Sequence, residues 1–426
     1  MCSAVPAIAV QPELILVGVL PPLLYSSAVS APAIELRRDL RAIGGLAILL
    51  VIVSSLVLGL FFWWAIPGLG LPLAIALGAI LSPTDAVATS IVRKQGVPHR
   101  VVALLEGESL LNDATALVLL RTAVAATAAG FSFVATLGAF VWAVLSAVVI
   151  GAAAGFIALR VRAWTRNATA STAIGLVVPY LAYLPTDAVH GSGLVAAVVA
   201  GVVCGQGAVR RLTPEQRISD RMTWRTVEFI LEGAVFLVMG LELYGIVEKN
   251  LQADEGLLGG IAIAAGAFVL LVLVRGAYVV PMLSLHSARV SRATRRRLDR
   301  AGPRRAPSAA RADRMRADMD YFDTSPLTWR HGVIVTWAGM RGVVTLAAAQ
   351  TLPSDTPARE LLVFIAFAVA AGSLLLQGLT LPAVVRLAGL GGTTTTALPQ
   401  QEIRAVDREL RDAALGAIAA GSLRRE

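Results

Sequence analysis

The sequence predicts an all-α polytopic membrane protein, and three observations lead to that fold class. Hydrophobic residues make up 56% of the 426 residues, charged residues only 15%, and the mean hydropathy is +0.73. One soluble domain of this size cannot bury that much apolar surface. Continuous apolar stretches of roughly 20 residues, the length that crosses a hydrocarbon layer, recur along the chain. They are longer than the alternating strands of a membrane barrel, so helices are the remaining solution.

We count about eleven such stretches, joined into one transmembrane domain over residues 1–390. An arginine-rich loop at 287–329 interrupts this domain, and a tail at 391–426 follows it. The apolar stretches lie at about 13–34, 42–65, 71–92, 101–126, 131–159, 168–184, 188–208, 226–247, 256–285, 330–352 and 360–390.

Basic residues concentrate in every second connection, and short loops rich in arginine and lysine stay on the cytoplasmic side. We therefore expect the loop at 287–329 and the tail at 391–426 to be cytoplasmic in a multi-pass protein of the plasma membrane. The N-terminus then lies outside without a recognisable signal peptide. From this we expect that two helices upstream of this chain are missing. The net charge of +9 serves topology and contact with anionic lipid, so no nucleic-acid partner is expected.

The third stretch carries an aspartate directly after a proline, in the order Ser82-Pro83-Thr84-Asp85. A proline at mid-span removes a backbone hydrogen bond and clashes with the preceding turn, so the sequence predicts a broken helix. Broken spans expose partial charges at the half-helix ends, and transporters hold ions there. An ionisable side chain in a span costs at least a few kcal/mol and usually serves ion or proton traffic.

The fourth stretch is dense in polar residues, with Ser109 and Asp113 on one helix face and Glu108 and Asn112 on another. We assign Asp113 as the principal cation ligand and proton acceptor. An ionised carboxylate is a hard oxygen ligand, and a protonated one is a neutral donor. Asn112 hydrogen-bonds the site without adding a second negative charge.

An arginine stands in the middle of the tenth stretch, where Arg341 is flanked by Gly339 and Gly342. Arginine does not lose its proton, so at this depth it needs a partner. We predict an ion pair between Glu108 and Arg341. The glycines allow a second broken helix, and the two breaks then run in opposite directions, as in an inverted repeat with its site at the interface.

Three motifs, SPTDAV, EGESLLNDATALV and GMRGVVTLAAA, resemble the signatures of monovalent cation:proton antiporters of the bacterial NhaP type and of animal sodium/hydrogen exchangers. The resemblance runs from about Pro12 to Leu390, and it implies the inverted-repeat antiporter fold, a homodimer, and the absence here of the family's first two helices. It also implies that Asn112 marks the electroneutral branch and that Glu108 and Arg341 form the structural ion pair. The Na⁺ ligands that it implies are Thr84, Asp85, Ser109 and Asp113.

The sequence thus predicts a secondary active antiporter that exchanges Na⁺ or Li⁺, with K⁺ left open, for H⁺ in pH and sodium homeostasis. The exchange is expected to be electroneutral, and the chain is expected to be neither an enzyme nor a cofactor binder. The alternatives are a cation channel, a truncated inactive antiporter, and an intramembrane aspartyl protease, whose GxGD sequence is absent. Glu228 and Glu232 are interpreted as interfacial or loop-paired rather than as ion ligands.

Overall fold

A computed structural model describes residues 14–31, 38–85, 87–129, 133–165, 167–252, 257–299, 327–353, 356–390 and parts of 407–416. In these residues the regular structure is entirely helical, which confirms the predicted fold class. Most of the predicted loop at 287–329 and of the predicted tail at 391–426 lies outside the described residues. Residues 287–299 of the predicted loop are helical, because the helix before the loop continues to Asp299.

Seven helices of the described chain are long and apolar enough to cross a membrane, and two shorter apolar helices accompany them. Each predicted apolar stretch coincides with one helix or with a pair of shorter helices. In chain order the helices are α1 (Leu20–Ser30, after a π-helical turn at Leu14–Val19), α2 (Leu40–Ala65), α3 (Leu71–Leu81), α4 (Val87–Lys94), α5 (His99–Ala129), α6 (Phe133–Trp164), α7 (Ala168–Ala188), α8 (Gly193–Arg211), α9 (Pro214–Gln252), α10 (Leu257–Asp299), α11 (Trp329–Trp337), α12 (Val343–Gln350) and α13 (Arg359–Leu387).

Two spans are broken at mid-length, as the sequence predicts. The first break separates α3 from α4 at Pro83, and the second separates α11 from α12 around Met340. The chain is non-helical in both breaks, and they meet directly, because the backbone N–H of Asp85 donates to the carbonyl oxygen of Met340 at 2.8 Å. The two breaks therefore form one crossing.

The helices form two groups with one helix between them. Helices α2 to α5 and α10 to α13 pack mainly against one another and contain the crossing, whereas α1, α6, α7 and α8 form the second group. Helix α9 contacts α1 and α7 on one side and α12 and α13 on the other. Any residue on the inner face of α9 is therefore close to the boundary between the groups.

Small residues allow the helix that leads into the first break to pack closely. A side chain added at Gly78 of α3 would overlap the carbonyl of Ser55 in α2, and a side chain at Gly59 would meet Ile75 of α3. Lipid tails are as apolar as leucine, so spans associate through such close backbone approaches rather than through the hydrophobic effect. This packing fixes α3, and with it the position of the break, against α2.

Candidate ion-binding site

The Glu108 carboxylate of α5 is held by three donors from two other elements. Arg275 of α10 contacts it with both terminal nitrogens, one pair being Nη1 to Oε1 and the other Nη2 to Oε2 at 2.8 Å. The hydroxyl of Thr84, in the first break, donates to Oε1 at 3.3 Å. Glu108 is 1% exposed and Arg275 is 2% exposed. A buried charge pair of this kind is tolerated because the geometry is bidentate and the Thr84 hydroxyl bonds a further lone pair of the carboxylate.

The predicted ion pair between Glu108 and Arg341 is therefore wrong in its partner. Arg275 also donates to the carbonyl of Val335 from Nε and Nη2, each at 3.1 Å, so it secures the end of α11 as well. A sequence signal for this residue existed, because Arg275 lies inside the strongly apolar span Leu258–Leu285. An arginine there needs a buried partner for the same reason as Arg341.

Arg341 is satisfied mainly by backbone. Its Nε donates to the carbonyl of Leu81 at 2.7 Å, its Nη1 donates to the carbonyl of Gly339, and its own N–H donates to Ser373 Oγ of α13 at 2.9 Å. Leu81 ends α3, where the last carbonyls of a helix lack partners and carry partial negative charge. Arg341 thus caps the first broken helix from the second, and its charge acts on Glu108 and Asp113.

Asn112 and Thr84 join the break to helix α5. The Asn112 Nδ2 donates to Thr84 Oγ1 at 2.6 Å and lies 3.4 Å from the Thr84 carbonyl oxygen. Because Thr84 in turn donates to Glu108, a continuous chain runs from Asn112 through Thr84 and Glu108 to Arg275. Asn112 and Glu108 share a helix face, as predicted. The hydrogen of the Thr84 hydroxyl is committed to Glu108, which leaves only a lone pair for a cation.

Asp85 lies at the crossing itself, half-buried, with its side chain packed against Gly342. A Cβ built at Gly342 would overlap the Asp85 carboxylate, so this close approach requires glycine. The glycine flanking Arg341 therefore makes room for an aspartate from the other broken helix.

Asp113 is the exception among these buried acids. It is 8% exposed, and within the described residues no hydrogen bond or salt bridge reaches its carboxylate. The charged residues that act on it are Asp85 and Arg341. A buried carboxylate without a protein donor is costly unless a proton or a cation neutralises it. Half-buried Ser109 precedes it by one helical turn, and the roles of Ser109 and Thr84 as ligands stay predictions.

Glu228 of α9 is bonded to another helix rather than to a loop, and the interpretation of Glu228 and Glu232 as interfacial or loop-paired residues rather than ion ligands otherwise stays a prediction. The Ser26 hydroxyl of α1, which is 0% exposed, donates to Glu228 Oε2 at 3.0 Å. Glu232 follows one turn later, and the charges of Glu228 and Asp85 act on it. Nothing in the motifs predicted the bond from Ser26 to Glu228, because the two residues are 202 positions apart in the sequence.

The two broken spans cross at Asp85, and the buried ion pair of Glu108 and Arg275 lies beside this crossing. A family model described as the transmembrane part of the sodium/hydrogen exchanger matches residues 4–387. The chain belongs to this sodium/hydrogen exchanger family.

Individual relatives agree with this assignment. The chain is 32% identical over 401 residues to the Uncharacterized Na(+)/H(+) exchanger YjcE of Escherichia coli, a match that covers 88% of this chain and 67% of that protein. It is 30% identical to the Sodium, potassium, lithium and rubidium/H(+) antiporter of Bacillus pumilus, covering 88% of this chain and 54% of the relative. It is 28% identical to the Na(+)/H(+) antiporter ApNhaP of Aphanothece halophytica, with coverages of 90% and 66%.

The fold is shared with a solved antiporter. The sodium proton antiporter MjNhaP1 from Methanocaldococcus jannaschii superposes with a TM-score of 0.64 at 16% identity, covering 89% of this chain and 87% of that one. This likeness shows the fold. In the three curated relatives the chain spans 54% to 67% of the full length.

Proposed function

We propose that the protein is a secondary active antiporter that exchanges one Na⁺ or Li⁺ for one H⁺. The observation that carries this proposal is the Asp113 carboxylate, which is buried beside the crossing and receives no hydrogen bond or salt bridge from the described residues. The other buried acid of the site, Glu108, is already neutralised by Arg275. Asp113 is thus the group on which a proton and a cation compete.

The charges around Asp113 support an electroneutral exchange. Asp85 and Arg341 act on it with opposite signs, and Asn112 adds no charge. A bound proton and a bound monovalent cation neutralise Asp113 equally, so the occupied site carries the same charge in both directions of transport. Each turnover then moves one positive charge inward and one outward.

The oxygen donors near Asp113 suit a small hard cation. Asp85 and Ser109 supply side-chain oxygens, and Thr84 retains a hydroxyl lone pair. Relatives carry names that include sodium, and the Bacillus pumilus relative is named for sodium, potassium, lithium and rubidium. We propose Na⁺ and Li⁺ as the cations and treat K⁺ as a substrate to be measured, because selectivity depends on the number and spacing of the ligands.

We further propose that the antiporter is a homodimer in the plasma membrane, with the loop at 287–329 and the tail at 391–426 in the cytoplasm, where it serves pH and sodium homeostasis. The alternation of arginine-rich connections supports this orientation. Reaction of single cysteines introduced in these two segments with a membrane-impermeant reagent, in intact cells and in everted vesicles, tests it.

Everted vesicles with a pH-sensitive dye test the exchange. Addition of Na⁺ or Li⁺ is expected to move protons in vesicles that contain the full chain, and Asp113→Asn is expected to abolish the response. A response retained by Asp113→Asn would overturn the assignment. A cation channel would give a flux that follows the membrane voltage without obligatory proton movement. If Na⁺ binding displaces protons but no vesicle response is seen, the site binds both ions and this chain does not transport them.

A further inference from the structure

Glu232 lies in the helix that joins the two groups. Helix α9 contacts α1 and α7 of one group and α12 and α13 of the other, and the half-buried Glu232 is within its central part. Helix α12 begins directly after the second break, so α9 packs beside the crossing that holds Asp85. A cation that reaches the crossing along the boundary between the groups passes this helix.

The electrostatic surroundings of Glu232 are negative. The charged groups that act on it are Glu228, one turn earlier, and Asp85 across the boundary. In the described part of the chain no hydrogen bond or salt bridge reaches Glu232, whereas Glu228 is fixed by the buried Ser26 hydroxyl. Like charges in a medium of low dielectric constant repel one another strongly, and this arrangement attracts a positive ion.

A structural role explains Glu232 poorly, because three buried acids of the described residues are each paired with an arginine. Glu108 binds Arg275, Asp39 binds Arg100, and Asp220 binds Arg162, and all three are buried. Unlike these three acids, Glu232 and Asp113 have no basic partner among the described residues. A glutamate in an apolar stretch, here the predicted stretch 226–247, that has no basic partner in the described residues is a candidate for ion traffic.

We propose that Glu232 is a further residue of the exchange site, one that draws a monovalent cation from the boundary between the groups toward Asp85 and so sets the apparent affinity for the cation. The ligand class is a partly hydrated Na⁺ or Li⁺. This inference rests on the proposed exchange, and it places the last part of the cation path between α9 and the crossing. Asp113 remains the group where cation and proton compete.

The test compares Glu232→Gln with Glu215→Gln in the full chain. Glu215 lies at the start of the same helix and is exposed, so the control removes an equal charge away from the site. Exchange is measured in everted vesicles over a range of Na⁺ concentrations. Removal of one negative charge near the path is expected to raise the KM for Na⁺ roughly threefold to tenfold while the maximal rate changes less than twofold. Glu215→Gln is expected to leave both values unchanged.

Restoring the charge separates an electrostatic role from a structural one. Glu232→Cys is treated with a sulfonate-bearing thiol reagent or with a neutral methylthiol reagent, and the parent chain with its native Cys2 and Cys204 is treated alike. The negative reagent is expected to return KM toward the parent value, and the neutral reagent is expected to leave it high. This variant gives the same information if Glu232→Gln is not recovered in membranes.

Two results would overturn the inference while leaving the proposed exchange intact. One is an unchanged KM in Glu232→Gln alongside an inactive Asp113→Asn. The other is an equal response of Glu232→Cys to the charged and the neutral reagents. If the parent chain itself moves no protons on addition of Na⁺ or Li⁺, the proposed exchange fails first.

Discussion

The guanidinium of Arg275 binds the Glu108 carboxylate through both terminal nitrogens, and it also donates twice to the carbonyl of Val335. One side chain of α10 thereby connects α5 with the end of α11. The pair is almost completely buried, and removal of one partner leaves an uncompensated charge inside the bilayer.

We predict that Arg275→Ala destabilises the protein by about 3–5 kcal/mol. Removing Arg275 leaves a charged carboxylate in a dry site and frees the Val335 carbonyl. Thermal unfolding in detergent measures this as a lowered Tm. The double variant Arg275→Met with Glu108→Leu is expected to be less destabilised than the sum of its single variants, because their interaction is lost only once. Additive losses would show that the pair is not coupled.

We predict that Gly342→Ala inactivates exchange. A methyl group at this position would overlap the Asp85 carboxylate and push the two breaks apart. The matched control is Gly372→Ala in α13, where nothing lies within 4 Å of an added Cβ. Proton movement in vesicles is expected to be lost in the first variant and kept in the second. An active Gly342→Ala protein would show that the close approach of Asp85 is unnecessary.

We predict that Thr84→Val lowers both exchange and stability, whereas Thr84→Ser preserves them. Valine leaves the Asn112 amide without its closest acceptor and removes a donor to Glu108, and a buried group left unsatisfied costs roughly 1–3 kcal/mol. Serine keeps the hydroxyl. Vesicle assays and Tm values of the two variants provide the comparison. Equal behaviour of valine and serine would indicate that the hydroxyl bonds are unimportant.

We predict that Na⁺ binding to the purified protein releases a proton. If Asp113 accepts either ion, cation uptake by the protonated carboxylate displaces one H⁺. Calorimetry in two buffers of different ionisation enthalpy measures the number released. The release is expected to disappear in Asp113→Asn and to persist in Glu215→Gln. Sodium binding without proton release at any pH would contradict competition at this carboxylate.

Much of this architecture could be predicted from the sequence, because the signals for it are local. Apolar length locates the spans, Pro83 locates the first break, and the glycines around Arg341 locate the second. The partner of Glu108 could not be predicted from the sequence, because two arginines lie in apolar stretches. Which of them pairs with Glu108 depends on how α5, α10 and α12 pack. Arg341 instead donates to the carbonyl of Leu81. A free backbone carbonyl at a helix end cannot be predicted from the types of the side chains. The bond from Ser26 of α1 to Glu228 of α9 is equally a product of packing.

The bond from Arg341 to the Leu81 carbonyl has a mechanical consequence. Together with the bond from the Asp85 N–H to the Met340 carbonyl, it joins the two broken spans to each other at their breaks. With these two bonds in place, the crossing does not open by separation of the two broken spans. If the crossing turns from one side of the bilayer to the other as one unit, its contacts with α1 and α9 change, and substitutions that tighten the packing of α9 against α12 and α13 are expected to slow turnover without altering which ion is carried.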